Sequence, residues 1–344
     1  ISNTVGGVFF IGTNILNISK QVSFTTAANT TFNTGGLLVL KDYGISGMAN
    51  LGDLNSHTVT NNITCEYQTT TLTNVAYRHI TSPVSGKVIS DFMYNAGTCD
   101  SCFYSYGFTN ANSNTSGGVV GSTWTYDQAN VTATFSEGWT TAVNAATDPV
   151  SYTRGITWYM GPGGGSFNRG KYAINITGAV NQGTQNINRF NSNMIHRAGG
   201  SDFEWALIGN PYPSTINFAT VSKSLVNSNP YLFKADNGGY GIDNIIPPFQ
   251  AFFVRTTGTG ASITFEETDK VTTQKAFQKN IKENDELIVK LIPSQYPTKF
   301  NYTYIDFKKG TTNNFDSGID KEPLTNPWPY ANVTCETADY KSTY

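Results

Sequence analysis

The feature that most constrains this chain is how finely its apolar residues are broken up. In the first 76 residues they fall into short runs: Val8-Phe9-Phe10-Ile11, Ile15-Leu16-Asn17-Ile18, Val22-Ser23-Phe24 and Leu37-Leu38-Val39-Leu40. Asn, Gly and Thr separate these runs at spacings of about 7 to 15 residues, which fits many short strands joined by tight turns. Stacked coils of a β-solenoid give this signature, and so does the edge of a β-sandwich. No run approaches the roughly 20 apolar residues of a membrane-spanning helix. A mostly helical fold is excluded by the punctuating residues themselves. The chain has 46 Thr, 36 Asn and 33 Gly in 344 residues, and these are middling or poor helix formers.

The polarity of the chain is therefore uncharged. Only 13% of residues are charged and the net charge is -2, about half the usual charged fraction. Neither the excess of Lys and Arg that marks a nucleic-acid surface nor the composition of a disordered chain is present, since 13% of residues are aromatic.

Three regions follow from texture. Residues 1–76 form a short-strand, β-solenoid-like segment. Residues 77–274 carry longer strands, among them Gly155 to Met160, Tyr172 to Ile176 and Ala251 to Arg255, and several alternate apolar and polar residues. Alternation of this kind predicts half-buried strands of an antiparallel, jelly-roll-like sandwich. A short helix is expected over Phe218 to Leu225. After a charged, linker-like stretch around Lys275 to Glu286, residues 275–344 read as a partial C-terminal β-domain. That last region is short for a sandwich and would leave open sheet edges. The expectation is that more chain or a partner strand covers them.

Catalytic machinery is hard to assemble. His57, His79 and His196 are the only histidines; no Gly-x-Ser-x-Gly elbow and no His-Glu-x-x-His is present. His79, in a strand entering a turn, is expected to be structural. The glycine run Gly161 to Gly165 lacks the Gly-Lys-Ser/Thr ending of a phosphate loop and reads as a turn between strands. Eight Asn-x-Ser/Thr sequons, Asn17 and Asn175 among them, are what chance predicts at this Asn and Thr content.

Three smaller features keep two readings each. Cys99 and Cys102 form a Cys-x-x-Cys without a following helix; they are a local disulfide of a secreted protein or two unpaired thiols. Asp316 and Asp320 lie in an oxygen-rich turn that can hold calcium or be an ordinary Asx turn. Trp158, Tyr159 and Tyr240 lie near glycine-rich turns, where rings are presented to glycans or else join the core. No other cofactor is expected.

Three stretches carry a resemblance. They are His79-Ile80-Thr81-Ser82-Pro83-Val84-Ser85-Gly86, Trp205 to Asn217 with its Ile-Gly-Asn-Pro-Tyr-Pro-Ser run, and Ile246-Pro247-Pro248-Phe249-Gln250-Ala251-Phe252-Phe253-Val254. In this order they resemble a β-rich module of large surface and secreted proteins of Bacteroidota exported by the type IX secretion system. The resemblance covers about residues 80 to 320 and implies an extracellular β scaffold, frequent in adhesins and surface fibres. It implies no reaction. Pro211 and Pro213 end a strand, because each fixes φ and removes a donor. Composition and resemblance together give the expectation of a non-enzymatic structural or adhesive module at the cell surface, self-associating or joined to neighbouring repeats by strand pairing. The alternative is a carbohydrate-binding module for surface glycans. Neither nucleic acid nor a membrane span enters either reading.

Overall fold

The computed structural model describes residues 8–10, 14–24, 31–42, 47–68, 76–92, 123–126, 138–141, 148–160, 173–188, 205–234, 239–276, 286–291, 301–306, 335–336 and 342–343. The fold is all-β. Among the described residues, helix is confined to single turns such as Ile89–Phe92 and Glu267–Asp269.

Three parallel ladders carry the N-terminal region. Val8–Phe10, Thr31–Asn33 and Thr58–Thr60 pair in register, with Phe9, Phe32 and Val59 in one row. Leu16–Ile18, Leu38–Leu40 and Asn62–Gln68 make the second, with Ile18, Leu40 and Cys65 in a row. Gln21–Val22 and Asn50–Leu51 make the third. Ladder partners lie about 20 to 30 residues apart in sequence, so the chain visits each ladder in turn and successive passes stack. Period-2 alternation decides which residues go inward. Phe32, Leu38, Leu40, Val59, Ile63 and Cys65 are buried, while Asn17, Thr58 and Asn62 are exposed.

One end of each ladder is closed in a different way. Ala173–Ala179 runs antiparallel along Asn62–Gln68 and closes the second. Gln182 closes the first with its side chain: Val59 N–H donates to Oε1 at 2.8 Å, and Nε2 donates to Val59 O at 2.9 Å. A carboxamide has the donor and acceptor of a peptide group, so it substitutes for one more strand residue. At the third, Leu51 N–H donates to Pro213 O at 2.8 Å.

The remaining strands form layers. Ala76–Ile80, Ile156–Met160, Thr123–Tyr126 and Trp139–Thr141 make one antiparallel sheet. Trp205–Gly209, Ala251–Arg255, Tyr231–Lys234 and Gly239–Ile242 make a second. Gln185–Asn188, Ser262–Phe265 and Ser222–Ser224 make a third. One core cluster unites Ile208, Phe252 and Val254 of the second sheet with Ile187, Ile263 and Phe265 of the third. The opposite face of the second sheet carries Trp205, Leu207, Tyr231 and Phe253, with Trp139 of the first sheet against them. Covered on both faces, Trp205–Gly209 is buried at every position. Such strands read as continuous apolar runs rather than alternating ones, as Trp-Ala-Leu-Ile-Gly does.

The helix expected over Phe218 to Leu225 is absent. Asn217 Oδ1 accepts the Ala219 N–H at 3.1 Å, and Thr220 Oγ1 donates to Asn217 O at 2.8 Å. This Asx-type turn captures the backbone groups that a helix needs, and Ser222–Ser224 then pairs with Ser262–Phe265. The core of the ladders does not stop at residue 76. It takes in Ile80, Val84, Phe92, Val150, Ile156, Ile176 and Phe249. Beyond residue 275, Glu286–Leu291 and Asn301–Asp306 form an antiparallel pair.

Candidate functional site

The three stretches that carry the family resemblance meet at one place. Gly209 ends the strand Trp205–Gly209, and a Cβ built there would lie 2.4 Å from Thr81 Cβ. Glycine is required because Thr81, from the first stretch, packs directly on the backbone. Thr81 N–H donates to Phe249 O of the third stretch at 2.8 Å, and Asn210 N–H donates to Gln250 O at 3.0 Å. Phe249 holds φ at 64°, a left-handed conformation unusual for a bulky residue. Its buried ring lies 5.7 Å from that of Tyr67 and 6.4 Å from that of Phe92.

Buried amide side chains complete the junction. Asn210 Nδ2 reaches Ser214 O at 2.8 Å, Ile246 O at 3.1 Å and Pro247 O at 3.1 Å, while its Oδ1 accepts the Tyr212 N–H at 3.0 Å. Gln250 Nε2 donates to His79 O at 3.2 Å and Ala251 O at 2.6 Å. Asn181 Nδ2 donates to Pro211 O at 2.9 Å. Asn50, from the ladders, accepts the Thr215 N–H at 3.0 Å and places Nδ2 within 3.2 to 3.4 Å of Val271 O, Thr272 O and Thr273 O. Prolines at 211 and 213 take the chain out of the ladder, and the amides satisfy the carbonyls this leaves inside the protein.

One ion pair is built into the same region. Lys270 Nζ donates to Glu267 Oε2 at 2.6 Å and sits 4.7 Å from the centre of the Tyr212 ring. Glu267 also accepts Leu54 N–H at 3.0 Å and Gly183 N–H at 2.8 Å. Burial lowers the pKa of Lys270, and Glu267 opposes that shift. Tyr212 Oη donates to Gly183 O at 2.7 Å. The carboxylate thus ties residues 54, 183 and 270 together.

His79 lies on the other side of the junction. Its ring is 5.1 Å from Phe233, 5.6 Å from Trp139 and 5.5 Å from Phe253. Its Nε2 is 3.0 Å from Tyr240 Oη. Burial among rings depresses the imidazole pKa to about 3, so His79 is neutral at pH 7. Held this way, it packs and hydrogen-bonds rather than exchanging protons with solvent.

Of the residues singled out for glycan stacking, Tyr240 is half-buried, with its ring 5.2 Å from Phe233 and its hydroxyl on His79. Trp158 and Tyr159 lie in Ile156–Met160, opposite Arg78 and Tyr77; their side chains fall outside the description. Cys99, Cys102, Asp316 and Asp320 lie outside the described residues. Among the described residues no cluster of His, Cys, Asp and Glu is arranged to hold a metal. Sequence reading did not single out Asn50, Gln182 and Asn210 as structural side chains. Asn210 carried a signal, being an amide between a buried strand and a proline; Gln182 carried none. No protein family, curated protein or solved structure matches the chain.

Proposed function

We propose that this chain is a non-enzymatic structural or adhesive module of a bacterial surface protein or extracellular fibre, exported to the cell surface and associating with copies or repeats of itself. In this reading the three N-terminal ladders are a short β-solenoid docked on the sandwich. The observation that carries it is the use of the polar side chains at the motif junction. Asn50, Asn181, Asn210 and Gln250 bond to backbone carbonyls, and Glu267 and Lys270 bond to each other. Buried amides that donate to backbone carbonyls of separate stretches of the chain hold those stretches in one arrangement, which suits a scaffold that bears load or presents a surface. Resemblance to exported Bacteroidota modules and the uncharged Thr- and Asn-rich composition support the same reading. Electron microscopy of the material on its native cells, with antibody labelling, tests it. Labelled filaments or a surface layer are expected. A label confined to the cell interior, or purified protein that turns over a polysaccharide, overturns it.

A further inference from the structure

Residues 271–276 are held differently from the strands around them. The residues at their start still belong to the sandwich: Lys270 pairs with Ile216 in an antiparallel bridge, and Val271 N–H donates to Thr215 O at 2.9 Å. Beyond that point side chains hold the segment. Asn50 Nδ2 is shared by Val271 O, Thr272 O and Thr273 O at 3.2 to 3.4 Å. Gln274 Nε2 donates to Ser19 O at 3.0 Å and Met48 O at 3.3 Å. These carbonyls lie on successive passes of the ladders, each two residues before the paired Gln21 and Asn50. Lys275 Nζ donates to Ile245 O at 2.6 Å and pairs with Asp243. The segment thus lies as a strap across ladders and sandwich.

These attachments are weak ones. Of the six residues only Ala276 is buried, and Thr272 and Thr273 are exposed. One amide spread over three carbonyls at such distances makes poor hydrogen bonds. The Asp243 carboxylate is 42% exposed, so water screens its attraction for Lys275. The joint between the regions does not depend on the strap. One core takes in Leu40, Ile80, Ile156 and Phe249, and Thr81 N–H donates to Phe249 O. A segment with few buried apolar groups opens at a lower free energy than such a core.

We propose that residues 271–276 are a releasable strap, which detaches and redocks while the ladders and the sandwich stay joined. Detachment turns six docked residues into slack with a reach of at most about 20 Å. The opening itself stands on the contacts above; its use rests on the scaffold reading, in which the slack lets the module yield to a pull along the chain before either core opens. Gly47 offers a way to force the strap off. It holds φ at 83°, and a Cβ built there would fall on the Lys275 carbonyl. Gly47→Ala therefore drives the strap away from the ladders at Lys275.

Brief acetylation of lysines on the full chain with an N-hydroxysuccinimide ester, read residue by residue by mass spectrometry, tests this. In the wild type the exposed Lys20 should react fastest, Lys275 more slowly, and Lys270, whose side chain is 1% exposed, slowest. Urea below the global transition should speed Lys270 but barely change Lys275, because a local opening exposes little surface. Gly47→Ala should speed Lys275 at least about tenfold and leave Lys270 unchanged. Gln274→Ala, a milder change that removes two hydrogen bonds, should speed Lys275 about fivefold, and it carries the test if Gly47→Ala does not fold. Lys275 and Lys270 speeding together, or Lys275 following urea as steeply as Lys270, means that the strap opens only with the cores and overturns the proposal. So does a wild-type Lys275 that reacts as fast as Lys20, which leaves nothing docked to release. Labelled filaments on cells alongside any of these results would leave the proposed function standing without the strap.

Discussion

The ladder region and the sandwich bury their strands on different terms. In the ladders one face goes inward: Leu38–Leu40 reads buried, half-buried, buried, and Thr31–Asn33 the reverse. In the sandwich, Trp205–Gly209 and the first four residues of Ala251–Arg255 are buried throughout, because a sheet lies on each side of them. A one-faced strand keeps Thr and Asn on its free face at no penalty, as the exposed Asn17, Thr58 and Asn62 show. A two-faced strand has nowhere to put a polar side chain, so the polar groups gather at its end, in Asn210 and Gln250. The difference teaches that tolerance to change should fall steeply from the ladders' outer faces to the strand ends of the sandwich.

The largest effect is expected where backbones touch. Gly209→Ala sets a methyl against Thr81 from a fully buried strand, and Gly155→Ala sets one 2.5 Å from Ala251 Cβ. Overpacking of this kind costs about 3 kcal/mol. Gly36→Ala is the matched change in the ladders, at φ 77° with nothing within 4 Å; it carries only the left-handed strain of about 1 kcal/mol. Urea unfolding of the three variants measures the contrast, and equal losses would erase the distinction between the regions.

Asn50→Ala asks whether the two regions fold as one. It strips an acceptor from Thr215 and a donor shared by three carbonyls, and leaving such buried groups unpaired costs about 2 kcal/mol. Native-state hydrogen exchange is the measurement. Because one core takes in Leu38, Leu40, Ile80 and Ile156, protection should fall in Leu38–Leu40 and in Ala76–Ile80 together. Loss confined to one side would mean separate units.

How much of this was legible depends on the period of each segment. Short runs such as Leu37 to Leu40 announced strands, but the strands of residues 77–274 were expected to be half-buried, and Trp205–Gly209 is buried at every position because a sheet covers each of its faces. Pro211 and Pro213 marked a strand end, which the structure bears out: Trp205–Gly209 stops just before them. What sequence could not supply were partners distant along the chain. Gln182 reads as an ordinary loop residue until its carboxamide is seen on Val59, and nothing in the sequence near Gly209 announces that Thr81 packs against its backbone. Thr220 and Val221 misled in the other direction. The segment looked weakly helical, but Asn217 captures its first turn and a free edge at Ser262–Phe265 recruits Ser222–Ser224. Tertiary pairing outweighs a weak local preference.

A pH titration gives the smallest and most specific contrast between the regions. His79 has its pKa depressed by burial to about 3, against about 6.5 for an exposed imidazole. Between these values the unfolded chain binds a proton that the folded chain does not. Stability therefore falls as pH drops through 6.5 towards 3, and this contribution is level above about pH 7. From pH 7 to pH 5.5 the loss attributable to one such group is about 1 kcal/mol, steepening to about 1.4 kcal/mol per pH unit below that. His79→Gln offers Tyr240 Oη another hydrogen-bonding partner and removes the titration. The variant should start less stable, because Gln fills the ring cluster poorly, yet lose less between pH 7 and pH 5.5 than the wild type does. It is the difference in slope, not in starting stability, that reports a buried neutral imidazole. Parallel pH profiles for the two proteins would mean that His79 titrates in the folded chain as it does in the unfolded one, and that the layer between the first and second sheets admits water.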